Sequence, residues 1–126
     1  GMACEEGKQV IKLVDTMQKE IYLLGKTIQL FIYRTDCGAQ AVIAGGDKSH
    51  IGAVSIVDKY GNLVSHVFTG HKDGVISDQW AVELHKRWAV PVVVSAGIHY
   101  DNITPSQINM VIETLTMLLK EIENYD

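Results

Sequence analysis

The sequence has few of the features that mark disulfide-rich, zinc-binding or membrane proteins. Its two cysteines, Cys4 and Cys37, are far apart and lack the spacing of zinc ligands, so we expect two reduced thiols. No apolar run approaches the roughly 18 residues that a membrane-spanning helix needs, and no charged leader with an apolar core is visible. These absences predict a soluble, cytoplasmic protein with no membrane partner.

Positive charge is also scarce. The 11 Lys and Arg residues are outnumbered by 15 Asp and Glu residues, which gives a net charge of −4. A general nucleic-acid binder would normally show a basic face, so we expect no nucleic-acid partner. The hydrophobic content of 47% is ordinary for a globular protein. The length predicts a single domain over residues 1–126, able to bury roughly two-thirds of its unfolded surface.

The pattern of apolar residues changes along the chain. Between Glu5 and Leu24 they recur at helical spacing, and Gly25 is a suitable helix end, so residues 1–26 are predicted to form an N-terminal helical segment. A strand that begins near Val10 is the alternative. Residues 27–124 are predicted to form an α/β core.

Strands and helices both have clear signals in this core. Runs rich in β-branched or apolar residues predict strands at residues 27–33, 40–44, 51–57, 63–69 and 92–96, the first four as an antiparallel meander. A helix is predicted from an N-cap at Ser77 to Trp88. A longer helix is predicted after Thr104, where Pro105 follows the cap and Gln107 completes a capping box. The predicted fold class is α/β (α+β), with a mainly antiparallel mixed sheet flanked by helices.

Three polar stretches that carry histidine follow predicted strands. If the strands at 40–44 and 63–69 run the same way, and the first helix crosses over to a parallel strand, all three stretches lie at one edge of the sheet. The two predicted helix N-termini open on that side and favour an anion. The candidate site residues in these stretches are Gly45, Gly46, Asp47, His50, His71, Lys72, Asp73, Gly97 and His99.

Several kinds of chemistry are open to such an edge. A metal site would use His50, His71 and His99, but no two of them have a tight ligand spacing, so no metal is expected. The serine before His50 points to the opposite face of an extended chain, which disfavours a nucleophile–base pair. Lysine and histidine side chains suit an anionic ligand instead, with Tyr100 or Trp80 available to stack on a planar ring.

The combination of motifs resembles the small-subunit family of hydroxyarylic acid (gallate-type) decarboxylase systems. The matching segments are residues 45–52 (GGDKSHIG), 71–73 (HKD) and 97–99 (GIH). They occur in the order and approximate spacing found in that family, and the resemblance covers roughly residues 27 to 120. Members of the family are described as prenylated-flavin chaperone-like domains, with a fold similar to that of proteasome assembly chaperones.

The resemblance implies a non-catalytic accessory protein. Such a protein would bind prenylated flavin mononucleotide (FMN), or FMN itself, or deliver it to a UbiD-type decarboxylase subunit. By analogy with the fold, a homodimer is expected. Two alternatives remain open: a small acid/base enzyme (a hydrolase or decarboxylase) that uses His50 or His99 with Asp47, and a pure protein assembly chaperone. The residues that the resemblance places at the ligand are Asp47, His50, His71, Lys72, Asp73 and His99.

Overall fold

A six-stranded mixed sheet carries two long helices on one face in this computed structural model, which describes residues 15–124. The strands lie in the order β1-β2-β3-β6-β4-β5, with β3 parallel to β6 and the other neighbouring pairs antiparallel. The predicted fold class is confirmed. In chain order the elements are β1 (Asp15–Leu23), β2 (Lys26–Thr35), β3 (Gly38–Gly46), β4 (Lys48–Val57), β5 (Leu63–Val67), α1 (His71–Trp88), β6 (Val92–His99) and α2 (Pro105–Glu123).

Alternate residues of the strands form the core on the face that the helices cover. The register aligns Ile32, Ala41, Val94 and Ser55 in one row across β2, β3, β6 and β4, and all four are buried. Buried residues of both helices belong to the same apolar cluster as the apolar members of this row. Since side chains alternate between the two faces of a strand, the intervening residues lie on a face that neither helix covers.

The position of β6 differs from the predicted meander. It lies between β3 and β4 and pairs with both, so Gly46 and Lys48 flank the same residue, His99. The five strand predictions in the core are confirmed in location, but the four-strand meander is wrong. The carboxyl ends of β3, β5 and β6 still share one edge, because β6 is parallel to β3 and both β5 and β6 are antiparallel to β4.

The helix predicted for the N-terminal segment is wrong where the structure describes it. β1 is a strand that pairs along its whole length with β2, and residues 1–14 lie outside the described residues. Leu24 and Gly25, with φ of 53° and 78°, form the two-residue connection of a tight hairpin. Within β1, Met17 and Ile21 pack against the core while Tyr22 is exposed, so a period of two operates there.

The start of α1 also differs from its prediction. The helix begins at His71, after Gly70, whereas Ser77 was predicted to be its N-cap. Ser77 lies inside the helix, fully buried, and its hydroxyl oxygen is 2.6 Å from that of Ser55 on β4. The HKD motif therefore forms the first helical turn and not a loop. By contrast, the predicted cap at Thr104, with Pro105 and the Gln107 capping box, is confirmed for α2.

Two further predictions concern cysteine and the membrane. Cys37 is disulfide-bonded, so the expectation of reduced thiols is wrong for this residue, which lies in the half-buried turn between β2 and β3.

Neither helix within residues 15–124 is both long and apolar enough to pass through a bilayer.

Candidate functional site

A cleft of about 790 Å³ opens at the shared carboxyl edge of the strands. Its walls are the first turn of α1, the end of β6 with the loop that follows, and the first half of α2. The predicted site residues that line it are His50, His71, Lys72, Asp73 and His99. Topology therefore brings together residues from β4, α1 and β6 that are far apart in the sequence.

Asp73 is the buried centre of this arrangement. Its side chain is 2% exposed, although it lies in the first turn of α1. One carboxylate oxygen accepts hydrogen bonds from the Ile98 backbone N–H at 3.1 Å and from Lys72 Nζ at 3.0 Å. The other oxygen lies 3.3 Å from His50 Nε2. A buried carboxylate needs such partners to offset its lost hydration, and here they connect α1 to β6 and β4.

His50 reaches Asp73 because β4 bulges at this point. Residues 50–52 of β4 lie opposite a single residue of β6, Gly97. A Cβ atom on Gly97 would overlap the His50 carbonyl oxygen, and one on Gly52 would overlap the Asp73 carboxylate. Both glycines therefore permit close packing within the protein. Gly97, which we predicted to contact a ligand, contacts the backbone of β4.

Both ring nitrogens of His50 face acceptors. Nε2 faces the Asp73 carboxylate, and Nδ1 lies 3.3 Å from the Lys48 carbonyl oxygen. A carbonyl and a carboxylate only accept, so a proton on each nitrogen is required for both contacts to be hydrogen bonds. These contacts fix the orientation of the His50 ring at the edge of the cleft.

Lys72 and the end of α1 supply further donors. The Lys72 ammonium donates to Asp73 and to the Ile98 carbonyl oxygen, and its side chain is 13% exposed. An ammonium has three donor protons, so one is left for a molecule in the cleft. No side chain caps the N-terminus of α1 at Gly70, and His71 is exposed beside it. Helix N-termini of this kind attract anions through their unpaired N–H groups.

Gly45, Gly46 and Asp47 do not line the cleft, although we predicted them as site residues. A Cβ atom on Gly46 would overlap the His99 carbonyl oxygen, and one on Gly45 would lie 2.6 Å from the Cα atom of Ile28. The Asp47 carboxylate accepts from the Asp101 backbone N–H at 2.9 Å. These residues pack the turn between β3 and β4 against β2, the end of β6 and the loop that follows β6.

The contacts of Asp47 also act on its charge. The hydrogen bond from the Asp101 N–H, followed by the ammonium of Lys26 at 3.4 Å, holds the pKa of Asp47 below its usual range. The carboxylate is therefore kept ionised as a structural acceptor.

The residues after β6 form the mouth of the cleft. His99 is half exposed, and its Nε2 lies 2.9 Å from an Asp101 carboxylate oxygen. The Tyr100 hydroxyl donates to the Leu23 carbonyl oxygen at 2.7 Å, and burial together with the nearby Asp47 charge raises the pKa of Tyr100. Tyr100 forms part of the cleft wall, but Trp80, the other predicted stacking residue, is fully buried in the core and cannot reach a ligand.

The predicted acid/base pairs have different partners in the structure. His50 contacts Asp73 and His99 contacts Asp101, and neither uses Asp47. Among residues 15–124, no group of three His, Cys, Asp or Glu side chains could hold a metal ion together.

One wall of the cleft was missed by sequence reasoning. α2 and the loop before it contribute apolar side chains and two amides to this wall, and none of them was among the predicted site residues. Ile108 and Ile112 are half-buried, in contrast to the deeply buried Val111 and Leu115, and both line the cleft. Ile112 also packs against the core. The residues of this wall are Asn102, Ile103, Ile108, Asn109 and Ile112.

Comparisons with known proteins agree with this fold. A chain from a chaperone complex for yeast 20S proteasome assembly superposes with a TM-score of 0.57 over 87% of this chain and 98% of that chain, at 15% identity. The structure is thus an α+β domain with a proteasome-assembly-chaperone fold. At this identity the likeness concerns the fold alone.

Sequence comparison shows the family to which this chain belongs. Residues 24–125 match the model of the prenylated flavin chaperone LpdD-like domain, so the chain belongs to that family. Protein LpdD of Lactiplantibacillus plantarum is 36% identical over 72 aligned residues, and the match covers 53% of this chain and 53% of that protein. The chain thus matches about half the length of this curated relative. The predicted family resemblance is confirmed.

Proposed function

We propose that this protein is a non-catalytic accessory protein that binds FMN or prenylated FMN in the cleft and delivers it to a UbiD-type decarboxylase. The observation that carries the proposal is the two-sided character of the cleft. Its α2 wall is apolar with two amides, while its α1 wall carries ammonium, imidazole and unpaired helix N–H groups. Family membership supports the same class of ligand. The predicted homodimer and cytoplasmic location belong to this proposal too.

The size and the apolar wall suit a flavin ring. Small-molecule sites commonly occupy about 300–1,000 Å³, and this cleft falls in that range. Ile103, Ile108 and Ile112 offer aliphatic surface for a planar ring, and the amides of Asn102 and Asn109 can hydrogen-bond its carbonyl and N–H groups.

The opposite wall suits the phosphate. The charges of Lys72 and Asp73 largely offset each other, so the positive potential of this wall comes mainly from the α1 N-terminus, beside which the His71 imidazole can donate a hydrogen bond. The remaining proton of Lys72 can donate to a phosphate oxygen. The family resemblance adds His99, at the mouth of the cleft, to the side chains that we propose contact the ligand. The other four are His50, His71, Lys72 and Asp73.

The same contacts argue for binding without chemistry. Asp73 is already engaged by three partners, so it is not available as a general base. The cleft is also open at the sheet edge, which suits a ligand that is held and then released to another protein. Turnover of an aromatic acid by the isolated protein would instead support the acid/base alternative.

Lys72→Met is expected to raise the dissociation constant for FMN by at least about tenfold, because hydrogen bonds to charged groups contribute about 1.5–3 kcal/mol. FMN fluorescence titration measures this constant. His71→Ala, at an exposed position, should weaken binding in the same direction without disturbing the Asp73 contacts.

The matched control is Lys59→Met, which removes a lysine from the hairpin after β4, outside the cleft. It should bind FMN like the wild type. Unchanged affinity in both cleft variants, or no binding of either flavin by the wild type at millimolar concentration, would count decisively against the proposed ligand.

Delivery has its own test. Protein loaded with prenylated FMN should activate a cofactor-free UbiD-type decarboxylase faster than the same concentration of free prenylated FMN. The measured quantity is the initial rate of appearance of decarboxylase activity. Equal rates would show that the protein binds the cofactor without delivering it, and the delivery step would have to be abandoned.

A further inference from the structure

The strand β5 lies at an edge of the sheet, and its outer side pairs with no other strand within residues 15–124. Its only neighbour in the described sheet is β4. Phe68 continues the register opposite Gly52, and its backbone N–H donates to the Gly52 carbonyl oxygen at 2.8 Å. Backbone groups of successive residues in an antiparallel pair point alternately toward and away from the partner strand. The N–H and C=O groups of Leu63, Ser65 and Val67 therefore point away from β4.

The β5 edge lacks the features that usually stop a strand from pairing with another chain. Its sequence contains no Asp, Glu, Lys, Arg or Pro, and all five of its residues are exposed. The opposite edge of the sheet is β1, which carries Lys19 and Glu20. Charged side chains and proline are common means of blocking an open edge. The composition of β5 therefore suits the addition of a further strand.

We propose that the β5 edge binds an extended, uncharged segment of the decarboxylase that receives the cofactor, as an added strand. The inference rests on the proposed function and adds the surface on which the acceptor docks. A row of alternating N–H and C=O groups is matched by the backbone of another extended chain. The exposed apolar side chains Leu63, Val64 and Val67 favour apolar residues at the neighbouring positions of that chain.

The β5 edge leads directly to the cleft. Thr69 and Gly70 follow β5 in the chain and line the cleft, as does Val75 of α1. A Cβ atom on Gly74 would lie 2.9 Å from Val67 Cγ2, so the end of β5 packs against the beginning of α1, which forms one wall of the cleft. A segment paired with β5 therefore brings its protein close to a cofactor held in the cleft.

The size of the edge favours a transient partner over a second copy of the chain. Five residues at about 3.3 Å each, in a layer about 10 Å thick, cover roughly 170 Å². A stable interface buries about 800 Å² on each partner. Two copies that met at this edge alone would therefore not form a stable dimer, whereas a carrier has to release its acceptor after delivery.

The test compares Ser65→Pro with the matched control Ser65→Ala. Proline removes the outward N–H and places its ring where the added strand would lie, but it removes no hydrogen bond to β4, and edge strands accept proline at such positions. Sedimentation velocity with a cofactor-free UbiD-type decarboxylase measures the dissociation constant of the complex. We expect Ser65→Pro to raise this constant by about tenfold or more, because it leaves an acceptor of the added strand unpaired. Ser65→Ala keeps the N–H and should bind like the wild type.

Hydrogen–deuterium exchange of the wild type tests the same surface without a substitution. The amides of Leu63, Ser65 and Val67 should exchange rapidly in the free protein and about tenfold or more slowly when the decarboxylase is bound. The amides of Val64 and His66, which point toward β4, should exchange slowly in both states. Exchange in β1 should not change, because that edge is not part of the proposed surface.

The outcomes distinguish this inference from the proposed function. If Ser65→Pro binds the decarboxylase as tightly as the wild type does, the docking surface is overturned, and cofactor binding and delivery are not. A wild type that binds FMN but not the decarboxylase at about 100 μM overturns both delivery and this surface. Self-association of the wild type that is lost in Ser65→Pro would show that a second copy occupies the edge and would overturn the decarboxylase as its partner. Ser65 does not line the cleft, so FMN titration of both variants should match that of the wild type.

Discussion

Asp73→Ala is expected to lower the free energy of unfolding by about 3 kcal/mol or more, and urea unfolding followed by circular dichroism measures this change. The carboxylate is 2% exposed and holds three donors from three elements. Its removal leaves the Ile98 N–H without an acceptor in a buried place and the Lys72 ammonium without its counter-charge. Unsatisfied buried groups are among the most destabilising consequences of a single substitution.

Two control substitutions test whether the loss of stability is specific to the buried contacts of Asp73. Asp101→Ala removes the partner of the other His–Asp pair, but Asp101 is 72% exposed and the loss should stay below about 1 kcal/mol. Asp73→Asn retains an acceptor for the Ile98 N–H and should fall between the two. Equal stability of Asp73→Ala and Asp101→Ala would show that the buried network does not hold α1 against β6 and β4.

The Asp73 network also shows where sequence reasoning stops. The HKD motif, His50 and Gly97 were all predicted to be site residues, because short polar stretches that follow apolar runs are visible in one dimension. The contact between His50 and Asp73 was not predicted, since nothing local in the sequence links His50 to a carboxylate on another element. Asp47, which is close to His50 in sequence, was the natural but wrong partner.

The predictions of the fold show the same difference between features that depend on neighbouring residues and features that depend on distant ones. The capping box at Thr104 and the strand locations depend on neighbouring residues, and these predictions are confirmed. The insertion of β6 between β3 and β4 depends on pairing between distant segments, which periodicity cannot reveal. β1 lies between these cases, because its conformation is set by the hairpin at Leu24 and by pairing with β2.

The prediction that the three histidine-bearing stretches lie at one edge of the sheet is nevertheless correct, although the predicted meander is wrong. Strand direction alternates between antiparallel neighbours, and the crossover through α1 restores it, so the carboxyl ends of β3, β5 and β6 coincide in either topology. The glycines are the opposite case. Gly45, Gly46 and Gly97 were predicted to be ligand-site residues, whereas in the structure they allow close approach of protein backbone, which the sequence does not distinguish from close approach of a ligand.

Gly97→Ala decides between these two roles for one glycine. We expect it to lower the free energy of unfolding by about 3 kcal/mol, at the upper end of the usual cost of overpacking. The added Cβ atom would overlap the His50 carbonyl oxygen and lie 3.0 Å from the Ile51 amide nitrogen, and backbone atoms in a paired strand cannot turn aside as a side chain can. To relieve the overlap, the bulge of β4 must move away from β6 and carry His50 away from Asp73. Flavin affinity should therefore fall together with stability.

The control for this substitution is Gly38→Ala at the start of β3. Its Cβ atom would lie 3.5 Å from Thr35 Oγ1 and 3.8 Å from the Pro91 carbonyl oxygen, which are ordinary contacts. Unfolding free energy should change by no more than about 0.5 kcal/mol, and FMN titration should match that of the wild type. If Gly97→Ala keeps the stability of the wild type but loses flavin affinity, then Gly97 approaches the ligand and not β4, as its motif first predicted. Loss of both properties would place it in the framework that holds His50 at the cleft.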